Sequence, residues 1–311
     1  MTRPDFPKTI FEFQQQFPTE EAQLAFLIQS RWPDGFVCPR CSNKEYFWIA
    51  TRRLLQCKAC SYQTSITAGT VMHRTKVPLP IWFQAAYLVT THTPGMSALQ
   101  FQRQVGIPSY QTAFTMLHKL RAAMVSPNRT KLNGTVEVDE TYIGGERHGE
   151  DAGSGRGAAN KVLVVGAVDI RDKYANRIRL KVIPDATAVS LLAFIEENIE
   201  QGSTIKTDGW GGYLRLESIG YNHVQTKTLT HIHRVFGNLK TWLRGTHHGV
   251  SKQHLQAYLN EFTFRFNRRK TPMAAFQTVL GLAKERIGPT YKGLYEIAKG
   301  QKTWEHPSNP F

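Results

Sequence analysis

The chain has 311 residues, 41% hydrophobic and 20% charged, with 39 Lys and Arg against 24 Asp and Glu for a formal charge of +15. Such a mixture is that of a globular protein with room for two or three domains, and the basic excess points to a polyanionic partner, nucleic acid ahead of an anionic membrane surface. No apolar run approaches the roughly 20 residues that span a bilayer, and the first residues lack a signal-peptide core, so a soluble cytoplasmic protein without membrane contact is expected.

Residues 19–30 predict a helix, with Thr19 as N-cap, Glu20 and Glu21 in the first turn, and a stop at Trp32-Pro33-Asp34-Gly35. All four cysteines follow in one window, Cys38, Cys41, Cys57 and Cys60. Two Cys-x2-Cys pairs at this separation favour one metal ion over disulfides, because each pair aims two thiolates at a common centre and two pairs complete the tetrahedron that structural Zn²⁺ prefers. Residues 46–49 and 53–56 suit the short strands of a zinc ribbon, a module that would depend on its metal for stability.

From residue 80 the pattern becomes helical: 81–89, 97–105 and 109–125, separated by Pro94-Gly95 and Gly106-Ile107-Pro108. The last two helices fit a helix-turn-helix, whose second helix would direct Tyr110, Gln111, Thr112, Lys119 and Arg121 toward DNA. An ordinary three-helix packing unit explains the apolar spacing equally well.

Beyond a polar linker the strand signals are 135–143, 162–170 and 177–183, then a helix over 188–200 and a further strand ending at Asp208. The Gly-rich, charged stretch 144–160, with Arg147, His148 and Arg156, reads as a mobile loop. Asp139 lies in the first strand and Asp208 in the fourth. Carboxylates set among β-branched neighbours repel one another when brought together unless a divalent cation such as Mg²⁺ bridges them. A helix over 251–269 follows, with Leu255, Tyr258, Leu259, Phe262 and Phe266 at core spacing and Arg265, Arg268, Arg269 and Lys270 expected to face outward onto a DNA backbone.

The order of Trp32-Pro33-Asp34-Gly35, Cys38-Pro39-Arg40-Cys41, Ala68-Gly69-Thr70, Val138-Asp139-Glu140-Thr141-Tyr142-Ile143-Gly144-Gly145, Thr207-Asp208-Gly209-Trp210 and Asn238-Leu239-Lys240 resembles bacterial insertion-sequence transposases that join an N-terminal zinc ribbon to a DDE-type catalytic domain. The resemblance implies an α/β, RNase H-like catalytic domain over 131–275, preceded by a helical segment over 1–35, a zinc ribbon over 36–75 and a helix-turn-helix-like domain over 76–130, and followed by a tail over 276–311. It also implies Zn²⁺ in the ribbon, catalytic Mg²⁺ or Mn²⁺, transposon ends and target DNA as partners, a homo-oligomer on those ends, and a place at the nucleoid.

In such families the third metal ligand is a Glu seven residues before a Lys; here Lys240 is preceded at that spacing by His233. Two helical turns put His233 and Lys240 on one face. Asp139, Asp208 and His233 are thus the expected catalytic set, with Glu261 and Asn238 as alternatives for the third position, and Lys240 and Arg244 join the expected DNA contacts. An imidazole in place of a carboxylate would favour Mn²⁺ over Mg²⁺. The activity implied is hydrolysis at transposon ends followed by joining of the 3′-hydroxyl; the rivals are a DNA-binding regulator with an inactive catalytic domain and a nuclease without strand transfer.

Overall fold

In the computed structural model the described residues are 6–126, 129–144, 161–283 and 289–296. The expected mobile loop, with Arg147, His148 and Arg156, therefore lies outside the described residues apart from its first position, and so does most of the end of the chain. The molecule divides into two compact units, residues 127–270 and the remainder on either side of them.

The flanking unit opens with two short helices, α1 (Ile10–Gln16) and α2 (Glu20–Arg31), whose first turns are closed by Thr9 and Thr19 accepting from Glu12 and Ala22 backbone N–H groups. Three antiparallel strands follow, β1 (Tyr46–Ile49), β2 (Leu54–Cys57) and β3 (Gln63–Ser65), the third unforeseen from its short polar sequence. Next come α3 (Leu79–Thr91), α4 (Ala98–Val105) and α5 (Tyr110–Ala123). Gly106, at φ +68°, ends α4 in the left-handed conformation that only glycine adopts without cost, and so makes the tight turn into α5.

The division differs from the expected one at its end. Residues 272–283 form α9, which packs on α3 and α5, so the domain expected to run to 275 stops at 270 and the described part of the expected tail belongs to the helical unit. The reason is aromatic: Phe276 is fully buried, its ring within 6.2 Å of those of Phe13, Phe17, Phe83 and Tyr87.

The inner unit is a five-stranded sheet flanked by helices: β4 (Thr135–Gly144), β5 (Lys161–Arg171), β6 (Tyr174–Ile183), α6 (Ala188–Asn198), β7 (Thr204–Thr207), β8 (Asn222–Gln225), α7 (Thr230–His247) and α8 (Leu255–Asn267). Its spatial order is β6-β5-β4-β7-β8, with β4, β5 and β6 antiparallel and β7 and β8 running parallel to β4. Alternation along the strands sorts the apolar side chains into two cores. Val136, Val138, Val165 and Ala167 meet α6 through Leu191, Phe194 and Ile195, while Val164, Val168, Ile178 and Leu180 meet α7 and α8 through Ile232, Val235, Phe236 and Leu259.

Two details set how the helices lie on this sheet. Gly166, opposite Asp139 on β5, leaves room for α7: a Cβ there would lie 2.7 Å from Phe236 and 2.9 Å from Leu180. On the outer edge strand β6, side chains of α8 supply the hydrogen bonds that a further strand would make. Asn267 accepts from Ile178 N–H at 2.8 Å and donates to its carbonyl at 3.2 Å, and Gln256 accepts from Val182 N–H at 2.9 Å.

Candidate active site and cysteine cluster

In the ribbon, the backbone folds twice in the same way. Cys38 N–H donates to Asn43 O and Ser42 N–H to Cys38 O, both at 2.9 Å; Cys57 N–H donates to Tyr62 O at 2.9 Å and Ser61 N–H to Cys57 O at 3.0 Å. Ser42 and Ser61 take positive φ values of 60° and 56° to close each knuckle. The result brings all four sulfurs within 4.8 Å of one another, with Cys38 to Cys60 at 3.6 Å and Cys41 to Cys57 at 3.5 Å. A tetrahedral ion with Zn–S bonds of about 2.3 Å sets sulfur–sulfur edges of about 3.8 Å, so the donor set and its spacing fit a zinc ribbon.

In the inner unit, β4 carries three acidic residues, Glu137 and Asp139 on one face of the sheet and Glu140 on the other. Glu137, almost fully buried, accepts from His231 and Ile232 backbone N–H groups at 2.8 and 2.9 Å and pairs with the His231 ring at 2.8 Å. These are the first-turn N–H groups of α7, which have no partner within the helix, so a buried carboxylate there fixes where α7 begins and how it is turned. Two residues on, and on the same sheet face as Glu137, Asp139 Oδ2 lies 3.0 Å from His233 Nε2. The structure thus brings His233 to Asp139; Glu137 is absent from the expected set, and its signal is an acid two positions before Asp139 among buried valines.

Asp208 follows directly on β7. The parallel register pairs Glu137 with Lys206, so Asp208, just past the end of β7, comes level with Asp139 in the middle of β4. Asp208 Oδ1 accepts from Trp210 N–H at 3.0 Å. Glu140 points to the other face, where the buried Tyr213 hydroxyl donates to its carboxylate at 2.6 Å. Burial, and secondarily the neighbouring carboxylates, push the Asp139 and Glu140 pKa values up; the Asp208 charge raises both, whereas His233 opposes the rise at Asp139 and Tyr213 that at Glu140. Burial, reinforced by Glu140, pushes the Tyr213 phenol far above its ordinary value, so it stays a donor.

Among the described residues the cysteine cluster is the one group of three or more such donors gathered closely enough to hold an ion; Asp139, Asp208 and His233 do not form such a group. The pair itself has the spacing of two adjacent ligands on an octahedral ion, about 3.0 Å for metal–ligand distances near 2.1 Å. Donor type fits Mg²⁺ or Mn²⁺ at the two aspartates, and the imidazole favours Mn²⁺; spacing fits at Asp139 and His233.

His233, Lys240 and Arg244 lie exposed on one face of α7, as the seven-residue spacing required. The other expected DNA contacts are corrected. Arg121 is buried within its own unit at 1% exposure, and Lys119 turns inward to the His73 carbonyl at 3.4 Å, because the basic end of α5 faces the helical core. Arg265 is paired with the buried Glu261 at 3.5 Å. Arg268 stacks over Phe264 at 3.9 Å, and Arg269 over Phe266 at 4.1 Å while donating to the Asn176 carbonyl at 2.9 Å. Arg265 and Arg268, expected to face outward, instead fasten α8, whereas Arg269 is exposed as expected while also holding α8 to β6. Glu261 sits with them in the α8 interior, apart from β4, and Asn238 is exposed on α7.

A sheet of order 3-2-1-4-5, with one acid in the middle of its first strand and another at the end of its fourth, defines an RNase H-like domain. The family can now be named. Residues 131–267 match the ISXO2-like transposase domain and residues 18–63 the transposase zinc-ribbon domain, and the chain belongs to the insertion-sequence transposases that combine the two. A protein in transposable element ISH50 of Halobacterium salinarum is 26% identical over 302 residues, covering 86% of this chain and 98% of that protein. Among solved structures, a chain of the simian T-cell lymphotropic virus intasome complex is 15% identical over 52% of this chain and 63% of its own, at a TM-score of 0.29. The Mos1 strand transfer complex gives 10% identity, 65% and 78% coverage, and a TM-score of 0.27. Scores this low define no common fold, and the assignment stands on strand order and the family match. None of the described helices is long and apolar enough to cross a membrane.

Proposed function

We propose that the chain is a DNA transposase that binds the ends of its element, hydrolyses a phosphodiester bond at each end, and joins the freed 3′-hydroxyl to target DNA. The observation that carries this reading is the meeting of Asp139 with His233 at 3.0 Å, beside Asp208 on the neighbouring strand, inside a transposase domain. Asp139, Asp208 and His233 would hold Mg²⁺ or Mn²⁺, and Cys38, Cys41, Cys57 and Cys60 would hold Zn²⁺. A divalent ion at the first site supplies charge stabilisation at the scissile phosphate and an activated oxygen nucleophile.

The remaining chemistry belongs to the chain. Glu137 holds the first turn of α7, which fixes His233 against Asp139. Trp210 N–H and the Glu140–Tyr213 bond hold the Asp208 loop against β4. Lys240 and Arg244, about two and three turns beyond His233, offer charge to phosphates flanking the cut, and phosphate contacts of this kind position a strand without reading its sequence. Direct transfer between phosphodiester and hydroxyl requires no Ser or Tyr adduct. Binding of two ends together would bring at least two copies into one complex.

The test is to incubate purified protein with end-bearing duplex and Mg²⁺ or Mn²⁺, and to map cuts to the nucleotide, with pre-cut 3′-hydroxyl ends supplied in parallel. Cleavage and joined product are expected, both absent from Asp139→Ala while end binding persists. Joining that never occurs even from pre-cut ends would leave a nuclease; end binding without any cut would leave a regulator.

A further inference from the structure

Beside the carboxylates one aromatic ring is held open to solvent. Trp210 is 51% exposed, although it stands two residues from Asp208 and its own N–H grips the Asp208 carboxylate. The ring is not loose. Its indole N–H donates to the Ala186 carbonyl at 2.8 Å, just ahead of α6. At Gly212 a Cβ would come within 2.9 Å of Trp210 Nε1 and 3.0 Å of its Cδ1, so the ring edge rests where only a glycine lets it. One edge is therefore pinned by a hydrogen bond and by close packing, and the rest is presented outward from the loop that carries Asp208.

Held in place by its edge, the exposed ring face is open to a ligand that covers it. Such a cover would arrive with the substrate of the adjacent carboxylates, because the same loop positions both. We propose that Trp210 is a stacking platform for an unpaired nucleobase next to the scissile phosphate. This inference rests on the proposed cleavage of DNA. Any base offers a π face to an indole, and a base can reach it only after leaving its own helical stack, at a cost in pairing that stacking partly offsets. The ring thus selects for strand ends that open easily, and holds the backbone while the phosphate is attacked.

The experiment compares the native protein with Trp210→Ala, Trp210→Phe and, as a remote control at the exposed β5–β6 turn, Tyr174→Ala, after equal melting temperatures are verified. Single-turnover cleavage is measured on fully paired ends and on ends mismatched beside the cut. Trp210→Ala is expected to slow cleavage of the paired end about tenfold, on the scale of one base–aromatic stack. Trp210→Phe should stay within about threefold of native, and the mismatch should restore most of the Trp210→Ala loss. A 2-aminopurine opposite the extruded base should brighten on binding native, Trp210→Phe and Tyr174→Ala protein, and stay dark with Trp210→Ala. Equal cleavage by Trp210→Ala, no rescue by the mismatch, or brightening independent of Trp210 would overturn the stacking role. Native protein that brightens the probe yet cuts nothing overturns the cleavage reading and leaves the stacking in place.

Discussion

The molecule gathers metal-ligand chemistry at two places by opposite means. In the ribbon, four cysteines lie within 23 consecutive positions, each pair on its own hydrogen-bonded knuckle, and their sulfurs already stand at the edges of a tetrahedron. In the inner unit, Asp139, Asp208 and His233 come from two strands and a helix far apart in the chain, and only the Asp139–His233 edge is drawn to coordination distance. A structural centre gains from being closed before anything else happens. A catalytic one must admit a phosphate and an attacking oxygen, so a site left partly open fits its task.

The largest effect separating the two should follow removal of a ribbon ligand. Cys57→Ser, or a strong chelator, should release about one zinc per chain and unfold the three-stranded module, since a structural zinc site contributes on the order of 10 kcal/mol to so small a fold. Metal analysis and hydrogen exchange would read this, and exchange in β4 and β5 should stay unchanged. Loss of protection there as well would mean the two units do not fold separately. At the catalytic centre the fold should survive and the chemistry should not: Asp208→Ala is expected to lower end cleavage about a thousandfold, the several kcal/mol of transition-state stabilisation that a metal-holding carboxylate supports, with DNA affinity within a few-fold of native.

His233 sharpens the contrast, because it is the position where the chain departs from the usual acid. His233→Ala should lower cleavage on the order of a hundredfold. His233→Glu should recover part of that and move the preference from Mn²⁺ toward Mg²⁺, measured as the ratio of rates in the two ions. An unchanged ratio would remove His233 from the ligand set and return Asn238 to consideration.

How far each region was legible follows from the same contrast. The cysteine spacing carried the ribbon almost whole, because two knuckles are local geometry. The seven-residue interval from His233 to Lys240 likewise specified one face of α7, and the acids marked the middle of β4 and the end of β7. What the chain hid was tertiary. β8 is four residues long and mostly exposed, so nothing in its pattern set it apart from a loop. Arg265, Arg268 and Arg269 looked solvated until α8 was seen to lie along β6, where guanidinium groups cover phenylalanine rings and reach backbone carbonyls. Phe276 could not be assigned to the helical unit from sequence, since its partners lie at the other end of the chain.

Glu137 links stability to catalysis inside the second region. Glu137→Ala should cost about 1–3 kcal/mol, the penalty for leaving buried donors unpaired, here two helix N–H groups and the His231 ring. Urea unfolding would measure it. Cleavage should fall too, because α7 would no longer be held in the rotation that turns His233 to Asp139, and Glu137→Gln, with one acceptor oxygen left, should lie between.

The smallest expected effect has the opposite sign. Burial raises the Asp139 pKa, and burial with its acidic neighbours raises that of Glu140, so the native state holds these protons more tightly than the unfolded chain. For a carboxylate shifted this way, stability is greatest below the unfolded pKa of about 4 and is lost as pH climbs through the raised native value. At neutral pH the ionised pair therefore opposes folding. Asp139→Asn, which removes one charge and keeps the shape, should melt higher than native protein at pH 7, with the gap narrowing toward pH 4, while cleaving nothing. Added Mg²⁺ should close the gap from the other side by stabilising only the native site. A lower melting temperature for Asp139→Asn at pH 7 would mean that the Glu140 N–H and His233 bonds to the carboxylate outweigh its burial, and that the centre, like the ribbon, is built for stability after all.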